Sequence, residues 1–196
     1  MNKNRKATKV IFTLGILLVA LSVVIAVVAA VNQKTAIANN ARILARMETL
    51  LPEVRSGVYD DRVDMNMPIL EIDGVDFCAI IEVPARGVKL PVCADNNGGW
   101  LSRFPCKSSG SIYDGTLVIS GSDRDGQFDF SKTISIGDSV FVTDMTGARY
   151  AYTVTWAEFI KDISGEYLTS LEADLILVVR NTYSLDYTVV KCSRLS

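Results

Sequence analysis

Thr116-Leu117-Val118-Ile119-Ser120-Gly121-Ser122-Asp123-Arg124-Asp125-Gly126-Gln127-Phe128-Asp129-Phe130 is the stretch whose reading decides the fold. A short apolar run, Leu117 to Ile119, ends in a corner of small residues, Ser120-Gly121-Ser122. A polar loop with Asp123, Arg124 and Asp125 follows, and then two aromatics. A buried strand that carries a polar side chain just past a glycine presents that side chain at its end. Ser122 is therefore the first candidate reactive group.

Strand signals flank this stretch on both sides. Upstream, Ile69–Ile72, Asp73-Gly74 and Val75–Val83 read as strand, turn and strand, since Asp-Gly between apolar runs is a strong hairpin signal. Pro84–Gly87 makes a turn, and Val88–Val92 is a short strand in which Pro91 belongs at an edge. Asp95–Gly99 reads as loop, Trp100–Phe104 as one helical turn, and Ser108–Gly115 as a small-residue approach. Downstream, Ser139–Thr143 and Arg149–Trp156 form a hairpin around Asp144–Gly147. A short helix is expected near Tyr167–Leu171. Leu175–Val179 is a continuous apolar run and reads as a fully buried strand. Asn181–Asp186 is loop and Tyr187–Cys192 the last strand. About eight short strands with little helix predict a closed or nearly closed β-barrel.

The amino-terminal third has a different character. Lys3, Arg5, Lys6 and Lys9 make a basic tail, residues 1–9, without an acid. Val10–Val31 is apolar apart from Thr13, Gly15 and Ser22. As a helix these residues span about 33 Å, enough for a bilayer core of roughly 30 Å. A signal peptide has a shorter apolar region, of about 7–15 residues, so an uncleaved transmembrane helix over residues 10–31 is the favoured reading. Positive residues stay cytoplasmic, which predicts a single-pass membrane protein with its amino terminus inside and the β-domain extracellular. Residues 32–68 are expected to be a stalk helix and a linker. In the helix Ile37, Ala41, Leu44, Met47, Leu51 and Val54 form one apolar face, and it folds back on the domain. The linker is Ser56–Pro68, with Gly57, Asp60 and Asp61. The barrel domain is placed at residues 69–196.

Charge and composition exclude several functions. Of 20 Lys and Arg, four lie in the basic tail; the rest of the chain, set against 22 Asp and Glu, has a net charge of −6. That argues against nucleic acid as a partner. The chain has no histidine, which removes imidazole acid/base chemistry and imidazole metal ligation. Asp123-Arg124-Asp125 is too short, and interrupted by a cation, to be a calcium loop. No metal or cofactor is expected. The four cysteines, Cys78, Cys93, Cys106 and Cys192, lack zinc spacing. Cys93 and Cys106 flank a Gly/Asn-rich loop and can close it, a bridge worth about 3 kcal/mol in the chain-entropy model; the alternative is four buried or free thiols.

The order of these pieces resembles the sortases, membrane-anchored cysteine transpeptidases of Gram-positive bacteria, and most of all class B. The resemblance covers about Ile69 to Cys192. It rests on Phe77–Pro84, Lys89–Val92, Trp100–Ser102, Gly110–Asp114, Thr116–Gly121 and Ile136–Val140. It implies a cleft that holds the sorting-signal segment of a surface protein. It also implies a cysteine nucleophile at the end of a late strand, a histidine acid/base just past a strand-ending glycine, and an arginine on the following strand. The chain departs at all three. The histidine position falls on Ser122, the cysteine position on Arg180, and the arginine position near Thr188, within a residue.

Substitute chemistry is thin. A serine hydroxyl without a base is a poor nucleophile, and Lys191 has no evident place beside Ser122. Cys192 is a displaced candidate nucleophile or a core residue. Arg180 can bind a carboxylate or carbonyl but cannot attack one; the alternative is a structural salt bridge with Asp123, Asp125 or Asp186. Phe128, Phe130, Tyr183 and Tyr187 line a peptide groove or the core. Two functions remain. One is an inactive sortase-like protein that binds or presents peptide or surface-protein segments in cell-wall or pilus assembly. The other is an active class B-like sortase with a rearranged site built on Cys192.

Overall fold

The computed structural model describes residues 2–57, 65–97 and 99–195; side chains of 2–11, 32 and 169 are outside that description. Asp60 and Asp61 of the expected linker lie outside the described residues. The chain divides into two units, residues 1–38 and 39–196.

The first unit is helical throughout its described residues. It is the amino-terminal part of α1, Asn2–Leu50, so the expected transmembrane and stalk segments are one uninterrupted helix. Phe12 to Val31 carries exposed Leu, Ile and Val side chains, and the helix is long and apolar enough to cross a membrane.

In the second unit ten strands form one sheet among the described residues. They are β1 (Arg55–Ser56), β2 (Leu70–Ile72), β3 (Val75–Val83), β4 (Val88–Cys93), β5 (Cys106–Ser109), β6 (Leu117–Ser122), β7 (Ser139–Asp144), β8 (Ala148–Ile160), β9 (Leu175–Arg180) and β10 (Tyr187–Arg194). Eight of them close a barrel in the order β3-β4-β5-β6-β9-β10-β8-β7, with β7 returning to β3. Closure leaves little free edge in the barrel apart from β4 before Cys93, where β4 and β5 meet at a single pair. β2 and β1 attach to β3 and β8. Ser56, expected in the linker, belongs to β1, and Met67 is buried in the barrel core.

The turns follow from sequence. Asp73 and Gly74 both take positive φ, 53° and 76°, the geometry of a two-residue hairpin turn, in which glycine costs least. The Asp144 carboxylate organises the β7–β8 turn by accepting from the backbone N–H of Thr146 and Ala148. Pro91 sits where β4 has no second neighbour, because β5 meets β4 only at Cys93; its missing N–H costs nothing there. The expected short helix is α2, Gly165–Ser170, capped by the Ser164 hydroxyl, which accepts from Tyr167 N–H.

Strand parity separates two cores. Leu117, Ile119, Leu175, Leu177, Val179, Val190 and Cys192 fill the barrel interior. Val118, Ile176, Val178 and Val189 face outward and are covered by Trp156, Ile160, Leu168 and Leu171. β9 is apolar on both faces because both are covered. A third cluster packs the last turns of α1, through Ile43 and Met47, onto Phe77, Phe104, Cys93 and Cys106. The buried stripe of α1 is Asn40, Ile43 and Met47, with Leu44 and Leu51 beside it. Ile37 and Ala41, expected on that face, are exposed, and Leu51 and Val54 lie beyond the end of the helix at Leu50. The helix does pack on the domain, through a stripe rotated from the one that apolar spacing suggested.

Candidate functional site

β6 and β9 run parallel in register, so Ser122 pairs with Arg180 at their carboxy-terminal ends. β10 runs antiparallel to β9 and sets Tyr187 against Arg180. Side chains alternate with a period of two along a strand. Arg180 thus shares the outward face of Ile176 and Val178, and Tyr187 that of Val189. Ser122, Arg180 and Tyr187 form one row across three strands.

Thr188 is not in that row. It pairs with Val179, is 2% exposed, and its hydroxyl donates to the Asn181 side-chain oxygen at 3.4 Å. A one-residue step along a strand changes the face, so the neighbour of Arg180 is Tyr187. Cys192 pairs with Leu175, five residues along β9 from Arg180, which is about 16 Å at the rise of a strand. It is fully buried in the barrel interior, and burial pushes its thiol up to about 12. Lys191 pairs with Ile176, about 13 Å along the strand from the row.

The Ser122 hydroxyl is committed. It donates to the Gln127 side-chain oxygen at 2.9 Å, and so does the Ser122 backbone N–H. The amide nitrogen of Gln127 donates to the Leu101 carbonyl at 3.2 Å. Asn40 of α1 donates to the Gly126 carbonyl at 2.7 Å and to the Arg103 carbonyl at 3.4 Å. Gln127 and Asn40 are both about 95% buried and position Ser122 and its loop. Neither role is announced by a motif: Asn40 acts on carbonyls more than sixty residues away, and Gln127, although only five residues past Ser122, is anchored by the distant Leu101 carbonyl. Gly121 is required: a Cβ there would lie 2.7 Å from the Phe128 ring.

Asp123 joins the two sides of the row. Its backbone N–H donates to the Arg180 carbonyl at 3.1 Å. Its carboxylate accepts from the N–H and hydroxyl of Thr182 at 2.8 and 2.6 Å and pairs with Lys132 at 2.8 Å. Burial raises this carboxyl, but the hydrogen bonds from Lys132 and Thr182 outweigh it and hold the group below the usual carboxylate range. The alternative reading of Arg180, a structural salt bridge with Asp123, Asp125 or Asp186, has no such pair among the described residues. Arg180 is exposed, and among the described residues no carboxylate pairs with it. Of the four aromatics, Phe128 and Phe130 are core, whereas Tyr183 is 94% exposed and Tyr187 half-buried. Among the described residues no cluster of acidic or thiol side chains could hold a metal.

No protein-family model matches the chain, and no curated protein matches it. Solved structures do match in fold. A lid mutant of sortase A from Corynebacterium diphtheriae superposes with a TM-score of 0.52 at 19% identity, over 61% of this chain and 70% of that one. Sortase C1 from Streptococcus agalactiae gives 0.53 at 19% identity, over 64% and 71%. Clostridium perfringens sortase C, solved with the C-terminal cell wall sorting motif, gives 0.50 at 17% identity, over 60% and 69%. The fold is that of the sortases: a mainly β, closed eight-strand barrel, here with an amino-terminal apolar helix.

Proposed function

We propose that this chain is a membrane-anchored, extracellular sortase-like protein that binds or presents a peptide segment of a surface protein, without transpeptidation, in cell-wall or pilus assembly. One observation carries the reading. The row at the carboxy-terminal ends of β6 and β9 and the amino-terminal end of β10 holds a hydroxyl, a guanidinium and a phenol, with neither thiol nor imidazole. Such a row can bind a peptide carbonyl or carboxylate through Arg180 and stack it on Tyr187, but it supplies no nucleophile and no base. An enzyme built on Cys192 would need that thiol on the other face of the sheet and at the other end of β9. Class B remains the nearest class on the order of the sequence motifs. The exposed apolar stretch of α1 supports the anchor.

The test pairs binding with turnover. Fluorescent Leu-Pro-x-Thr-Gly and Asn-Pro-x-Thr peptides are titrated against the full chain in detergent, with and without an amine nucleophile. Saturable binding that Arg180→Ala weakens at least tenfold, with no cleavage, is expected. Cleavage that disappears in Cys192→Ala or Ser122→Ala would replace this reading with that of an active enzyme.

A further inference from the structure

β4 and β5 meet at one pair of residues, Cys93 beside Cys106. Paired strands lie about 4.7–4.9 Å apart, within the Cα separation of roughly 4.4–6.8 Å that a disulfide spans. Both side chains are fully buried on the side covered by Ile43 and Met47 of α1. All four cysteines are free thiols in this structure; the Cys106 thiol donates to the Phe104 carbonyl at 3.5 Å, and the neighbouring Cys106 thiol, followed by burial, pushes the Cys93 thiol well above its ordinary range. Cys78 is placed differently. It belongs to the barrel interior, and its thiol donates to the carbonyls of Val92 and Cys93 at 3.8 and 3.6 Å.

The segment between the two cysteines reaches the candidate site. Its Leu101 carbonyl holds Gln127, which holds Ser122. Its Pro105 carbonyl accepts from Cys93 N–H at 2.9 Å, so the two ends already lie together. We infer that Cys93 and Cys106 are an oxidation site, closed to a disulfide by a small disulfide oxidant, and that the bridge clamps Leu101, whose carbonyl holds Gln127 against Ser122. In the step both S–H bonds break and one S–S bond forms. The two electrons and two protons pass to the oxidant disulfide, which leaves as two thiols. A buried, protonated thiol exchanges slowly, so the bridge forms while the chain folds rather than afterwards. The inference does not depend on what Arg180 binds.

Trypsin separates all four cysteines, with Cys93 on Leu90–Arg103 and Cys106 on Phe104–Lys107. The full chain is denatured, reduced, refolded in detergent with oxidised glutathione, alkylated and digested. The expected product is Leu90–Arg103 linked to Phe104–Lys107, lighter by two hydrogens than the separate peptides, with Cys78 and Cys192 alkylated. Four alkylated thiols, or a link from either peptide to Cys78 or Cys192, would overturn the assignment. The bridged chain should melt about 5–10 °C above its reduced form; equal melting temperatures would overturn the clamp.

Discussion

Ser122 and Arg180 are register partners across the parallel strands β6 and β9, and the next residue, Asp123, donates its backbone N–H to the Arg180 carbonyl at 3.1 Å. The spacing of this pair is therefore set by main chain. The Arg180 side chain can be changed without moving the two strands, whereas Ser122 also holds buried Gln127, so binding and stability are separable at Arg180.

Arg180→Ala should leave stability within about ±0.5 kcal/mol, the usual range for an exposed side chain without a partner. Thermal melts of the two chains measure this. A loss of several kcal/mol would mean that the guanidinium is engaged in the fold and is not a free binding group.

Asp123→Asn should cost about 1–3 kcal/mol, since it breaks a charge-assisted clasp on a carboxylate that is 3% exposed. The pH dependence has a definite sign. The folded carboxyl lies below its unfolded value of about 3.9. Its stabilisation is therefore complete above that value and is lost as pH falls through the folded value. Denaturant midpoints below about pH 4 should fall less steeply for the variant. Some acid sensitivity should remain, because Asp138 is also held down, by Ser135 N–H and by Arg86.

Gly121→Ala should destabilise by about 1–3 kcal/mol through overpacking against Phe128. Adding Phe128→Leu should recover part of the loss. A Gly121→Ala chain as stable as the parent would show that the Phe128 ring yields freely.

Native Cys192 and Cys78 should resist a thiol reagent that labels them after denaturation, because burial pushes both up to about 12. Arg180→Cys should add one thiol that reacts at once. Absorbance titration with an aromatic disulfide reagent counts them. A Cys192 that reacts within seconds in the folded chain would restore it as a candidate nucleophile.

The local parts of the fold were legible in the sequence. The Asp73-Gly74 turn, the buried run of β9 and the β7–β8 hairpin each carry their signal within a few residues. β5 is not legible as a strand: its last two residues, Ser108 and Ser109, fall in the small-residue approach Ser108–Gly115, and Cys106–Ser109 has too little apolar character to signal pairing with the next strand, β6. The face of α1 was misread because Asn40 is buried for its hydrogen bonds. At the site, Ser122 and Arg180 were found because strand ends locate them. The third position, placed near Thr188 within a residue, falls on Tyr187 by register, and that one-residue margin is on a strand the whole difference between two faces. Gln127 is five residues from Ser122 but carries no motif, and its burial depends on the distant Leu101 carbonyl.

The pairing of β6 with β9 also bears on how the chain acquires its site. It unites strands more than fifty residues apart, and β10 must then be laid between β9 and β8 before the barrel closes. Pairings between distant segments form late and slow folding, typically into the range of milliseconds to seconds. On a chain emerging from its amino end, Ser122 must therefore wait exposed until the segment from Leu175 onward is made. During synthesis the hairpin β2–β3 and strand β4 can form early from neighbouring sequence, whereas the candidate row is among the last things to exist.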